Sequence, residues 1–387
     1  PWSYVVASDA GGDVFFGDIS AAPGLTGEAV TQCVTTPVGQ LLLSSGIVVT
    51  DGARGDCMWT ERMPAAQQPS TIRSDYVANS NNTYELPHLE QRLTGFSPVL
   101  GGEGAPLSLR ASLGLAMISD RLSGSDGMGE PGFTAELARA VFDHNRNRAA
   151  EILAAEIAAD CQSEPVGEHN GTVVDLTELC AALAAWDQRN TIASRGVAVF
   201  RGLWMAMAEA GGHAQLFAIP AAPDAPLTTP SGYTTDPAVR TQVRNALARV
   251  ALALSEREIP FDAPWGEVHR VDTPAGGIPM PGGLGTAGVF DAMVSSQGFY
   301  TFDGWADSLG GVAADTLYGA SYLHVVEFGP DGVRASGLLP YSQSTEPSSP
   351  WYLDQVPSWS AGEWFAFPYT EAEIAADPAL TELLLTP

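Results

Sequence analysis

The chain contains no lysine. All 18 of its basic residues are arginine, set against 45 Asp and Glu, for a formal net charge of −27 over 387 residues. That absence removes Schiff-base chemistry, a lysine nucleophile and the nucleotide-binding loop whose lysine reaches a phosphate. The charge balance repels nucleic acid and anionic membrane surfaces, so neither is expected as a partner. No apolar run is long enough to span a bilayer. No signal-peptide pattern opens the chain. Pro1 leads into Trp-Ser-Tyr-Val-Val, which reads as a strand already under way, so residues upstream of Pro1 are expected to be missing.

Motifs are sparse too. There is no Gly-x-Ser-x-Gly, no His-Glu-x-x-His and no Cys-x-x-Cys, which sets aside the α/β-hydrolase elbow and the common zinc hydrolases. Gly283–Gly288 matches Gly-x-Gly-x-x-Gly. It follows a Pro/Gly loop instead of a strand, so a dinucleotide site is not expected there. The six histidines are scattered: His144 and His169 read as solvated, His324 as a packed strand residue. Asp303, Asp307 and Asp315 read as solvated turn residues, and Trp351, Trp359 and Trp364 as core packing. No cofactor and no metal ligand set is identified. Only four cysteines occur, in two sequence-local pairs, Cys33 with Cys57 and Cys161 with Cys180. Two disulfides are the favoured reading, pointing to a periplasmic or secreted protein; four buried free thiols are the alternative.

What is present is a globular composition, 45% hydrophobic, on a chain long enough for a large core. Residues 2–20 read as strand, turn and strand, and a further strand is expected to begin at Tyr76. Apolar periodicity predicts helices over 108–122, 134–146, 149–159, 175–186, 196–210 and 236–254, with Thr134 and Asp175 or Thr177 as caps. Strands are predicted again at 265–271, 299–303, 321–328 and 333–339, the last two a hairpin, before a final helix at 371–376. The order is sheet, helices, sheet, an α+β class. The expected segments are β-rich 1–107, helical 108–260 and β-rich 261–387, forming one continuous domain that lacks an upstream portion.

Three asparagines crowd the end of the segment Tyr76-Val77-Ala78-Asn79-Ser80-Asn81-Asn82. A polar turn is the plain reading, because Asn tolerates left-handed backbone and bonds to nearby main chain. The chemical reading is a buried amide at a strand end that donates to an oxyanion without titrating. Arg110 offers the same choice: an ion-paired surface arginine, or a fixed guanidinium that orients Asn81.

The segments Tyr76–Asn82, Leu93–Pro98 and Gly102–Arg110 together resemble the penicillin acylase family of N-terminal nucleophile hydrolases. Within it they are most similar to the acyl-homoserine-lactone and aculeacin acylase branch. Further similar stretches follow in order: Asp51–Arg54 before Cys57-Met58-Trp59, Leu183–Asp187 with Ser194–Gly196, Pro264–Val268, and Tyr341–Pro350 leading to Asp354-Gln355. The resemblance implies a precursor cut into two chains, with the second chain's N-terminal serine as nucleophile and its own α-amine as base. It implies Asn81 as an oxyanion donor and Arg110 as its partner. This chain is then the C-terminal part of the large subunit, part of an αββα sandwich, inactive alone and completed by the small subunit and the serine-bearing upstream portion. The implied reaction is hydrolysis of a linear amide, such as fatty-acyl release from an N-acyl-homoserine lactone or similar N-acyl amine. A penicillin or lipopeptide acylase and a non-catalytic secreted scaffold are the alternatives. The family also admits a structural calcium, for which no ligands stand out here.

Overall fold

A computed structural model describes residues 4–44, 46–273, 276–291, 293–295 and 301–384. The first hairpin forms where β-branched and aromatic residues flank an Asp/Gly turn: β1 (Tyr4–Ser8) pairs antiparallel with β2 (Val14–Asp18). Asp9 Oδ1 closes the turn, accepting from the amides of Gly11 and Asp13. The third strand, β3 (Ser70–Arg73), adds to β2. It lies before Tyr76, not after it; residues 76–79 carry no strand. Two short helices, α1 (Gly27–Cys33) and α2 (Pro37–Ser44), follow the hairpin, in a stretch for which apolar periodicity predicts no helix. Thr26 caps α1 by accepting from Ala29 N, and the Cys33–Cys57 disulfide ties its last residue to the loop beyond.

Next come α3 (Leu109–Ser123), α4 (Ala135–Asp143, capped by Thr134), α5 (Arg148–Ser163), α6 (Thr177–Ala184), α7 (Val197–Glu209) and α8 (Pro237–Glu256, capped by Asp236). Asp175 serves the start of α6, its Oδ1 accepting from Thr177 N at 2.8 Å. A hairpin of β4 (Val166–His169) and β5 (Thr172–Asp175) separates α5 from α6, and the Cys161–Cys180 disulfide joins those helices. α7 is buried on every side from Val197 to Met207, which suits a helix at the centre of a packed layer. β6 (Phe217–Ile219) and β7 (Ser231–Tyr233) flank the predicted Pro-rich loop.

The C-terminal region returns to sheet, with corrections. Residues 265–271 divide into a helical turn, α9 (Trp265–Val268), and a strand, β8 (Arg270–Thr273). Gly266 sits so close to Ile192 and Pro279 that a Cβ would lie 2.9 Å from each, so the packing there selects a compact turn over an extended one. β9 (Gly276–Pro279) pairs with β8, and β10 (Met293–Ser295) precedes a second correction. Of the strand predicted at 299–303, residues 299–300 lie outside the described residues, and Phe302 starts a helix, α10 (Phe302–Asp307), capped by Thr301. β11 (Val312–Ala313) joins β8 in parallel, and β12 (Leu317–Gly319) pairs with β10. The predicted hairpin forms as β13 (Leu323–Gly329) and β14 (Gly332–Leu338). After α11 (Val356–Ser360), β15 (Phe365–Phe367) adds to β14, and α12 (Glu371–Ala376) closes with a full capping box at Thr370.

The α+β order therefore holds. Contacts gather into two units, residues 1–119 with 221–229, and residues 120–220 with 230–387. The first centres on Phe16, Met63, Tyr84, Leu93 and Leu100. The second has the buried faces of α5–α8 and, in its C-terminal part, a cluster of Val271, Met280, Met293, Leu338, Val356 and Trp359. Among the described residues no helix is long and apolar enough to cross a membrane.

Candidate active site

The asparagine segment is a tight loop held by its own amides. Asn79 Oδ1 accepts from Asn81 N at 2.9 Å, and Asn79 Nδ2 donates to Asn82 O at 3.0 Å. Asn82 Oδ1 accepts from Ser80 N at 2.9 Å. This crossing of bonds forces Asn81 into the left-handed region, with φ of 61°, a conformation that Asn tolerates better than most residues. The plain turn reading is therefore correct for the backbone. Asn81 is exposed, and it sits on a loop instead of at a buried strand end.

The side chain is nonetheless oriented. Arg110, in the first turn of α3, donates from Nη2 to Asn81 Oδ1 at 2.8 Å and to Ser80 O at 3.0 Å. Ser108 supports that turn, its Oγ accepting from Ala111 N. A guanidinium carries only donors, so the carboxamide must present oxygen to it, and the NH2 group is left pointing outward. Nδ2 of Asn81 has no partner among the described residues. Burial holds the Arg110 guanidinium below its ordinary pKa, yet it stays charged at any physiological pH. The pair thus presents a non-titrating donor on a strained loop, fixed by a cation.

The three segments that carried the resemblance converge beneath this loop. Glu103 accepts from Tyr84 Oη at 2.7 Å and from the amides of Gly95 and Phe96. Burial alone would raise its carboxyl, but these donors outweigh burial and hold it below the usual value. Tyr84 is pushed well above its ordinary range, by burial first and by Glu103 second. Buried Glu85 pairs with Arg92 at 2.6 Å and accepts from Gly104 N. Gly101, at φ of 132°, lets the chain pass within van der Waals distance of Thr83.

A second support was not anticipated. Asp75, just before the loop, receives both prongs of Arg73 at 2.6 Å each. Its Oδ2 also lies 3.1 Å from Nε2 of buried His88. His88 Nδ1 accepts from Glu90 N, so the ring proton sits on Nε2 and points at Asp75. Tyr76 packs against that ring at a tilt of 39°, with centroids 4.1 Å apart. The Arg73 bonds hold the Asp75 carboxyl far below its normal pKa, and burial lowers His88. Sequence reading counted His88 as one of several scattered histidines. The available signal was an Asp directly before the motif and an Arg two residues earlier.

Other sequence candidates fall elsewhere. Both predicted disulfides are present. Gly285–Ala287 forms a single 3-10 turn. Asp303 and Asp307 belong to α10 instead of a turn, but both are solvated as expected, their side chains 85% and 74% exposed while they pair with Arg249 and Arg257. Trp359 is buried, whereas Trp351 is exposed. Among the described residues no group of three or more His, Cys, Asp or Glu side chains is placed to hold a metal ion.

Comparison with known proteins places this geometry in context. The chain is 36% identical to aculeacin-A acylase from Actinoplanes utahensis over 394 residues, covering 98% of this chain and 47% of that protein. It is 32% identical over 390 residues to the acyl-homoserine lactone acylase PvdQ of Pseudomonas savastanoi pv. phaseolicola, covering 98% of this chain and 46% of that one. The chain thus spans about half the length of these relatives. A solved structure, thermostable penicillin G acylase from Alcaligenes faecalis, aligns with a TM-score of 0.46 at 13% identity, over 99% of this chain and 67% of that chain. The family model described as penicillin amidase matches residues 1–376. The chain belongs to the penicillin amidase family.

Proposed function

We propose that this chain is the oxyanion-stabilising part of an amide hydrolase that removes an acyl group from an N-acyl amine. The observation that carries the reading is the Arg110–Asn81 contact, which turns the Asn81 amide NH2 away from the guanidinium and leaves it free to donate. In the reaction, a serine hydroxyl supplied by the rest of the precursor attacks the amide carbonyl. The serine's own α-amine takes the hydroxyl proton. Negative charge collects on the carbonyl oxygen, where Asn81 Nδ2 donates to it. The C–N bond then breaks, the amine leaves with the proton, and water hydrolyses the acyl-enzyme to the free acid.

The substrate class is a fatty-acyl amide, either an N-acyl-homoserine lactone or an acylated peptide. The names of the two relatives above support that choice. Two disulfides support a periplasmic or secreted location. The partner is the remaining portion of the same precursor, including the serine-bearing segment.

Intact mass and N-terminal sequencing of the mature protein, expressed from the complete reading frame, test the proposal together with a series of N-acyl substrates of increasing chain length. A chain that begins at Ser upstream of Pro1 and releases free amine from these substrates is the expected result. An uncut polypeptide that leaves every acyl amide intact would favour a scaffold with the same fold.

A further inference from the structure

The sheet β13–β14–β15 has its two faces the wrong way round for a free surface. Register places His324, Val326 and Phe328 of β13 on one face with Val333, Ala335 and Gly337 of β14 and Phe365 and Phe367 of β15. None of these eight residues is Asp, Glu, Lys or Arg. The opposite face carries Leu323, Val325, Glu327, Arg334, Ser336 and Leu338. That face is covered from within along most of its length: Leu323 and Leu338 enter the core cluster and α4 lies over part of it, while the Arg334 side chain stays 71% exposed. There Ala135 N donates to Glu327 and Arg139 donates to Ser336. An antiparallel sheet with one wet face normally alternates apolar inward and polar outward. Here the outward face is the more apolar one. Val326, Phe328, Phe365 and Phe367 are 38–45% exposed, and Tyr322, 54% exposed, extends the patch through its ring contact with His324.

Contiguous apolar patches of this kind mark surfaces that are covered in the assembled molecule. A second observation says by what. The relatives that match nearly all of this chain are about twice its length, so more than half of such a protein lies outside it. We propose that the outer face of β13–β15 is the seat of that remaining portion, which lays an uncharged, apolar layer flat against the sheet. The inference rests on reading the chain as one part of a longer precursor. It adds the surface by which the parts are held together. A face without Asp, Glu, Lys or Arg gives charged elements no ion-pair partner of that kind, so an apolar covering layer avoids stranding a charge. Sheet-to-sheet packing about 10 Å apart satisfies this without breaking any strand pairing.

Hydroxyl-radical footprinting of the mature full-length protein tests it. Oxidation of Tyr322, Phe328, Phe365 and Phe367 is expected to be at least tenfold slower than in the same protein unfolded, at every protein concentration. Oxidation at the rate of freely exposed side chains would overturn the proposal. So would protection that disappears on hundredfold dilution, because the cover would then be a second copy. The double variant Val326→Glu/Phe367→Glu, introduced into the complete reading frame, provides an independent check. Both side chains lie outside the cores of this chain, so its circular dichroism should persist while Tyr322, Phe328 and Phe365 become oxidised at the rate of freely exposed side chains. Unchanged protection would count against the proposal. Asn81→Gly keeps the two hypotheses apart: it should lower the rate of hydrolysis about a hundredfold to a thousandfold and leave the protection intact. Protection without any hydrolysis in the parent protein would preserve this interface and sink the acylase reading.

Discussion

At the residue scale, the asparagine loop shows how a turn becomes chemistry. Left-handed Asn81 and its neighbours would be an ordinary polar turn if Arg110 were absent. The guanidinium removes the ambiguity of a carboxamide, whose two ends are otherwise free to exchange. Arg110→Ala is therefore expected to cost orientation and not fold. We expect kcat of the full enzyme to fall about tenfold to a hundredfold, with circular dichroism unchanged and stability reduced by no more than about 1–2 kcal/mol. A melted spectrum would show instead that Arg110 is a structural strut. The pairing of Asn81 with Arg110 was reachable from sequence only through the resemblance, since propensity alone favoured a turn. Of the Arg73–Asp75–His88 support, the Arg-x-Asp spacing was visible in the sequence, but the Asp75–His88 contact joins residues 13 positions apart and leaves no local pattern.

At the element scale, legibility followed the strength of local signals. α3, α4, α5, α7 and α8 have long apolar stripes or clear caps, and α12 carries a complete capping box; all were readable. The β13–β14 hairpin was readable from its Gly-Pro-Asp-Gly turn. α1 and α2 were not, because seven or eight residues give barely two turns of periodicity. The β4–β5 hairpin was overlooked although Asn170-Gly171, both at positive φ, is a strong turn signal. Its strands carry too few apolar residues to announce themselves. At 265–271 and 299–303, bulky residues suggested strands, and tertiary packing imposed helical turns. The Cys161–Cys180 disulfide joins α5 to α6 across a separation of 19 residues. Replacing both cysteines with alanine should destabilise the protein by about 3 kcal/mol, from the loop entropy returned to the unfolded chain. Denaturant unfolding measures this; a loss below about 0.5 kcal/mol would mean that helix packing alone fixes the pair.

At the scale of the whole molecule, acidity shapes stability. Asp291 is fully buried, and neither carboxylate oxygen meets a hydrogen-bond donor in good geometry. Burial first, and nearby Asp143 second, raise its pKa to about 7, while burial raises Asp143 to about 6. A folded pKa above the unfolded value of about 4 means that the native state holds its proton longer. The associated stability is complete below about pH 4 and is lost as pH rises to about 7. Asp291→Asn, neutral at every pH, should therefore be more stable than the parent at pH 8, by up to about 4 kcal/mol, and lose that advantage toward pH 4. Thermal unfolding across this range reads the effect, and a pH-independent difference would refute the assignment. The account as a whole stands on one amide. In the mature full-length enzyme, Asn81→Gly keeps the left-handed backbone and deletes the donor together with the oxygen that Arg110 holds. The predicted result is a kcat on an N-acyl substrate lowered about a hundredfold to a thousandfold, about 3–4 kcal/mol in the barrier, with the melting temperature unchanged. Near-normal turnover would contradict the account and return Asn81 to the role of a turn residue.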